Sequence, residues 1–151
     1  MEKILVSACL LGENCKYNGK NNYIEKIEII KKHFDIIPIC PESLGGLSIP
    51  RDPSEINKNG LVYSRKGKDV TKNFVLGKNR VINIAKYFKI KKAILKERSP
   101  SCGVNSVYDG TFSGVTIKGS GITATSLKEL GLTLYTEETL DSLINEITTN
   151  N

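Results

Sequence analysis

Four cysteines carry the most distinctive chemistry of this chain: Cys9, Cys15, Cys40 and Cys102. A thiolate is both a soft ligand and a nucleophile. No pair stands as Cys-x-x-Cys, so spacing alone signals neither a thioredoxin-type redox pair nor a zinc ribbon. The one histidine, His33, closes a helical pattern and reads as a partner of the helix C-terminus or a surface residue. Any metal site must therefore be built mainly from thiolates that the fold brings together. Neighbouring residues add other groups. Cys40-Pro41-Glu42 puts a carboxylate just beyond one thiol, and Ser99-Pro100-Ser101-Cys102-Gly103 puts hydroxyls beside another. A carboxylate and a hydroxyl next to an open metal position can orient and deprotonate water. Equally, Glu42 can cap a loop and Ser101 can serve a turn. Arg51, flanked by prolines, has a fork of donors for a phosphate or carboxylate, or for a structural salt bridge. Gly45-Gly46 is too short for a phosphate cradle. Gly119-Ser120-Gly121, leading into a helix, offers backbone donors to an anion.

The elements that must position these groups alternate along the chain. Apolar runs at 3–8, 35–39, 93–96 and 132–135 read as strands, with Pro38 pushing the second toward an edge. Residues 23–34 read as a helix on Ile24, Ile27, Ile30 and Phe34. Residues 71–88 read as the longest helix, with Phe74, Val81, Ala85 and Phe88 on one face and Asp69 or Thr71 as the cap. A third helix, 121–130, ends at Gly131 in the left-handed conformation. Thr136 caps a last helix carrying Leu140, Leu143, Ile144 and Ile147, and the tail from Thr148 is expected to fray. The Gly- and Pro-rich stretch from Cys40 to about Asn59 is expected to be a long functional loop. A small hairpin is expected at 61–64 and 68–70, and a short extended segment at 111–118. Strand and helix in alternation predict an α/β fold: one Rossmann-like domain over 1–151, a mostly parallel sheet of about four strands with helices on both faces.

In such a sheet every strand's carboxyl end opens on one edge, where ligands bind. Cys9 follows the first strand, Cys40 the second, and Cys102 lies in the loop after the third. The topology thus predicts that these thiols converge. Zinc is one occupant, with Cys15 as the fourth ligand it would want. An iron–sulfur cubane is another; three cysteines leave one iron open to act as a Lewis acid. Burial as small apolar side chains is the third reading.

Composition sets the outer limits. The chain has 151 residues, 39% of them hydrophobic and 25% charged, which excludes wholesale disorder. No run approaches the roughly 20 apolar residues of a spanning helix. The N-terminus lacks a secretory pattern, so the expected compartment is the cytoplasm. Formal charge is +6, which suits an anionic ligand such as a nucleotide and, less well, RNA.

Taken as blocks, the motifs resemble a known family. Ser7-Ala8-Cys9-Leu10-Leu11-Gly12 is followed by Cys15-Lys16-Tyr17-Asn18-Gly19. Then come Cys40-Pro41-Glu42, Gly45-Gly46-Leu47, Pro50-Arg51 and Asp69-Val70-Thr71. Lys96-Glu97-Arg98-Ser99-Pro100-Ser101-Cys102-Gly103 and Tyr108-Asp109-Gly110-Thr111-Phe112-Ser113-Gly114 complete the set. Together they resemble the TudS-like thiouracil desulfidases, a bacterial and archaeal family, over nearly the whole chain. Lys16 and Asn18 stand where that pattern has an arginine and an aspartate. The resemblance implies a [4Fe–4S] cluster on Cys9, Cys40 and Cys102, with Cys15 in the motif but not a ligand. It implies Glu42 and Ser101 as the catalytic pair that positions the attacking water. Arg51 and Ser99 stand as candidate substrate contacts. The implied reaction is non-redox hydrolysis of a thiolated uracil, free base or nucleotide, with sulfur bound at the open iron and released as hydrogen sulfide. The alternative is a non-catalytic iron–sulfur or zinc-binding accessory module.

Overall fold

The structure, a computed structural model, describes residues 1–149. In chain order the elements are β1 (Lys3–Ser7), a 3-10 turn (Ala8–Leu11), α1 (Ile27–His33), β2 (Asp35–Ile39) and α2 (Pro41–Leu44). Next come β3 (Ser54–Ile56), β4 (Val62–Ser64), α3 (Thr71–Tyr87) and β5 (Lys92–Leu95). The chain continues through β6 (Ser106–Tyr108), β7 (Thr116–Lys118), α4 (Ile122–Glu129), β8 (Thr133–Thr136) and α5 (Leu140–Thr149).

The main sheet is four-stranded and parallel, in the order β2-β1-β5-β8. Strand alternation divides its side chains between two layers. Leu5, Ile39, Ala93 and Leu95 pack against Val81 and Ala85 of α3 and Ala124 and Leu127 of α4. Ile4, Val6, Ile94 and Tyr135 pack on the other side against Ile27 and Ile30 of α1 and Leu140 and Leu143 of α5. Each fully buried Leu or Ile stabilises this sandwich by about 1.5–3 kcal/mol. The expected α/β architecture, with helices on both faces, is thus the observed one. After β1 the chain crosses to β2 on one side; after β2 it returns to β5 on the other. Right-handed crossovers in opposite directions place α1 and α3 on opposite faces and open a crevice between the carboxyl ends of β1 and β5. Two antiparallel ribbons, β3–β4 and β6–β7, stand outside the sheet.

Several boundaries differ from the sequence reading, each for a visible reason. Helix α1 starts at Ile27, because 22–24 is tied back to the turn after β1: Asn22 N–H donates to the Cys9 carbonyl (2.9 Å) and Ile24 N–H to that of Leu10 (3.4 Å). The expected 61–64/68–70 hairpin around Gly67 is present in short form: Tyr63 bridges Asp69, Ser64 N–H donates to the Lys68 carbonyl (2.8 Å) and Val70 N–H to that of Val62 (2.9 Å), while β4 also pairs with β3. The loop after Cys40 therefore contains α2 and β3. Phe88, expected on the buried face of α3, is exposed and meets Tyr87 edge to face. Asp69 accepts the Thr71 N–H (2.9 Å) at the start of α3. Gly131 is left-handed (φ +103°) as expected. Thr136 Oγ1 accepts the Glu138 N–H (3.1 Å), and α5 begins two residues later. Thr148 and Thr149 are helical; the rest of the tail, 150–151, lies outside the described residues.

Candidate active site

One cavity of about 570 Å³ opens at the carboxyl edge of the sheet, and all four cysteines line it. Cys9 is in the turn that follows β1. Cys40 directly follows β2 and stands at the N-terminus of α2. Cys102 is in the loop between β5 and β6. Cys15 reaches the same cavity from the loop after the turn. All four are free thiols. The far wall comes from the two ribbons: Glu55 Oε1 accepts the N–H groups of Gly110 (3.0 Å) and Phe112 (3.1 Å), which locks one ribbon to the other. Tyr17, Tyr108 and Phe112 give the cavity aromatic walls, and Arg65 stands over the Phe112 ring, 5.8 Å from its centroid.

Glu42 lies on α2, one turn's start from Cys40. Its Oε2 accepts from Arg51 Nη2 at 2.6 Å, in a pair largely withdrawn from solvent. Arg51 also donates to the carbonyls of Cys15 (2.9 Å) and Ser48 (3.3 Å). Its fork is thus engaged by the protein, the structural-salt-bridge reading of that residue. Burial pushes the Glu42 carboxyl above the usual carboxylate range, and Arg51 opposes that shift. Such a carboxylate is a stronger base than one in water.

The loop carrying Cys102 is organised by buried anchors. Ser99 Oγ accepts the N–H groups of Ser101 (3.2 Å) and Cys102 (3.0 Å) and lies 3.1 Å from Ser101 Oγ. Glu97, only 2% exposed, turns a carboxylate inward. Its Oε1 accepts from the backbone of Val104 (2.8 Å), Asn105 (2.9 Å) and Ser106 (3.2 Å). From the turn before α5, Glu137 pairs with Lys96 (2.8 Å) and Glu138 with Arg98 (2.6 Å). The N-terminus of α4 is not open to an anion, contrary to the expectation for Gly119–Gly121. The carbonyls of Gly103, Pro100 and Ser101 take the N–H groups of Gly121, Ile122 and Thr123. A Cβ on Gly121 would lie 2.6 Å from the Ser101 carbonyl oxygen, so only glycine lets helix and loop meet this closely.

The thiols differ in their hold on protons. Burial pushes Cys102 up to about 12 and also raises Cys9. Cys15 is raised because it hydrogen-bonds to Cys40 and keeps its proton; the same contact lowers Cys40. Buried and unligated, these two thiols are held neutral; ligation to a metal would take their protons. Among the described residues, no three His, Cys, Asp or Glu side chains come close enough to share one metal ion. A donor set of soft sulfurs from separate elements around one cavity fits a polynuclear group in which each thiolate would bind a different iron.

Sequence reasoning placed Cys9, Cys40, Cys102, Glu42, Ser101, Arg51 and Ser99 in candidate roles, and all line this cavity. It left the anchoring role of Glu97 unread, although a charged residue directly after a buried strand is a signal for one. It also left out Asn22 and Ser43, whose polar atoms lie on thiol sulfurs; nothing in their local sequence marks them.

Fold and cavity define a parallel α/β protein with a thiol-lined pocket at the switch point of its sheet. The sequence model of the 2-thiouracil desulfurase family matches residues 4–139, and the chain belongs to that family. It is 40% identical over 150 residues to the uncharacterized protein YbbK of Bacillus subtilis, covering 93% of this chain and 99% of that one. Among solved structures it is similar to the [4Fe-4S]-dependent thiouracil desulfidase TudS, with TM-score 0.91, 35% identity and 99% of each chain covered. No helix of the described residues is long and apolar enough to cross a membrane.

Proposed function

We propose that this protein is a [4Fe–4S]-dependent desulfidase that hydrolyses a thiolated uracil, free base or nucleotide, to the oxygen analogue and hydrogen sulfide. The observation that carries the reading is the convergence of three strand-end thiols on the cavity that also holds Glu42 and Ser101. Cys9, Cys40 and Cys102 are the proposed ligands. When bound, the cluster would supply Lewis-acid chemistry toward the thiocarbonyl group.

The chain's own residues do the rest. The aromatic walls receive a flat pyrimidine ring. Glu42 accepts a proton from water, making it a nucleophile at the thiocarbonyl carbon. Arg51 holds that carboxylate in place through a charge-assisted hydrogen bond. Ser101, fixed by Ser99, hydrogen-bonds the attacking water or the oxygen it becomes. The balance is closed: water supplies the carbonyl oxygen and two protons, the C=S bond is lost, and sulfur leaves as hydrogen sulfide without any change of oxidation state. The family and the TudS likeness support this reading. The net charge of +6 favours a phosphorylated form of the substrate.

Glu42→Ala tests the assigned chemistry. The variant, reconstituted anaerobically, is expected to keep the brown iron–sulfur absorption and to lose uracil and sulfide formation from thiouracil. Full turnover would refute the role of Glu42. A parent protein that binds the cluster yet releases no sulfide from any thiolated uracil would favour the accessory-module reading.

A further inference from the structure

Each of the three proposed ligand sulfurs has its own polar side-chain neighbour. Asn22 Nδ2 lies 3.4 Å from Cys9 Sγ, Ser43 Oγ lies 3.2 Å from Cys40 Sγ, and Ser101 Oγ lies 3.6 Å from Cys102 Sγ. Ser101 already has a part in the proposed reaction. Asn22 and Ser43 have none, and both are only partly exposed.

The chain goes to some length to put Asn22 there. Its backbone N–H donates to the Cys9 carbonyl (2.9 Å) while its amide reaches the Cys9 sulfur, so one residue grips the other at two points. The neighbouring Asn21 braces the segment, donating to Asn14 Oδ1 (2.9 Å) and accepting from the Tyr23 N–H (3.0 Å). These tethers are what delay α1 to Ile27. Ser43 arrives differently. It follows Cys40 by three residues on a helical turn, the spacing that stacks side chains on one face. The Leu44 N–H donates to the Cys40 carbonyl (2.9 Å), which fixes that turn.

We infer that Asn22 and Ser43 are positioning residues, each donating a hydrogen bond to a ligand thiolate. Each bond holds its cysteine in one orientation and draws electron density off the sulfur. The sulfur then donates less to iron, and the open iron becomes a stronger acceptor for a thiocarbonyl sulfur. The inference rests on Cys9 and Cys40 being ligands. Hydrogen bonds to cluster sulfurs also favour the reduced, more negatively charged state, which gives a readout independent of turnover.

The experiment compares Asn22→Leu, Ser43→Ala, their double variant and Ser43→Thr with the parent, all reconstituted anaerobically. Iron and sulfide are counted, and the cluster's midpoint potential is followed by optical bleaching in a mediated titration. The expected result is parental iron content, a more negative potential in each donorless variant, a larger negative shift in the double variant, and a parental potential in Ser43→Thr. An unmoved potential in both single variants with iron intact would overturn the inference while leaving the desulfidase reading standing. Loss of iron from a donorless variant would also overturn it, by making that residue necessary for holding the cluster. A parent that takes up no cluster would instead sink the reading on which it rests.

Discussion

At the scale of single residues, the four cysteines divide into three proposed ligands and one bystander. With Cys9, Cys40 and Cys102 on iron, serine at any of the three is expected to lose most of the iron. Cys15→Ser is expected to keep most of it, since Cys15 reaches the cavity from the loop after the 3-10 turn and not from a strand end. Anaerobic purification with iron and sulfide quantitation on the four variants checks this, and equal retention in all four would contradict it. Glu97 makes a different prediction. Burial alone would push its carboxyl up, but the N–H groups of Asn105, Ser106 and Val104 outweigh burial and hold it below the usual carboxylate range. A folded-state value below the unfolded one means the stability is present above the unfolded pKa, about 4.3, and is lost as pH falls through the folded value. Parent Tm is therefore expected to drop on acidification below about pH 4.3. Glu97→Gln should start lower at neutral pH and show a flatter acid limb. Glu97→Ala, which leaves several buried N–H groups without an acceptor, should lose about 3 kcal/mol or more in denaturant titration.

At the scale of elements, the site depends on how closely short pieces approach one another. Helix α2, which carries Glu42, crosses α3 at two glycines. A Cβ on Gly77 would overlap the Pro41 carbonyl, and one on Gly45 would overlap the Asn73 carbonyl. Gly77→Ala is expected to lower stability by about 1–3 kcal/mol through overpacking, and to displace Cys40 and Glu42 with α2. Thermal melts and iron content would both register it; a parental melt and full iron would show that the crossing is looser than this. Gly77 carries no sequence signal of its own, since an isolated glycine in a helical pattern reads only as a weak spot. The same limit explains what was legible. Strands β1, β2, β5 and β8 and helices α3 and α4 were readable because their apolar periodicity reports on burial. The start of α1 was not, because the tethers of Asn22 and Ile24 to the 3-10 turn are tertiary. The pairing of β4 with β3 was not, because the partner lies in a Pro- and Gly-rich stretch whose three-residue strand shows no alternation to read.

At the scale of the whole molecule, the parallel sheet converts distance in sequence into nearness in space. Strand order β2-β1-β5-β8 sends three consecutive carboxyl-end loops to one edge, and a thiol stands in each. That convergence follows from the strand pattern alone. The cradle around it did not: the Glu97 anchor, the engagement of Arg51 by Glu42 and the carbonyl-capped start of α4 each join segments that no local pattern connects. The central claim is that these thiols hold a four-iron cluster with an open position. The most direct measurement is iron and acid-labile sulfide per chain in anaerobically purified or reconstituted protein. The account predicts about four of each per chain in the parent, as the cluster formula requires, and near-complete loss in Cys9→Ser, Cys40→Ser and Cys102→Ser. A single zinc ion per chain, or iron unaffected by these substitutions, would contradict it.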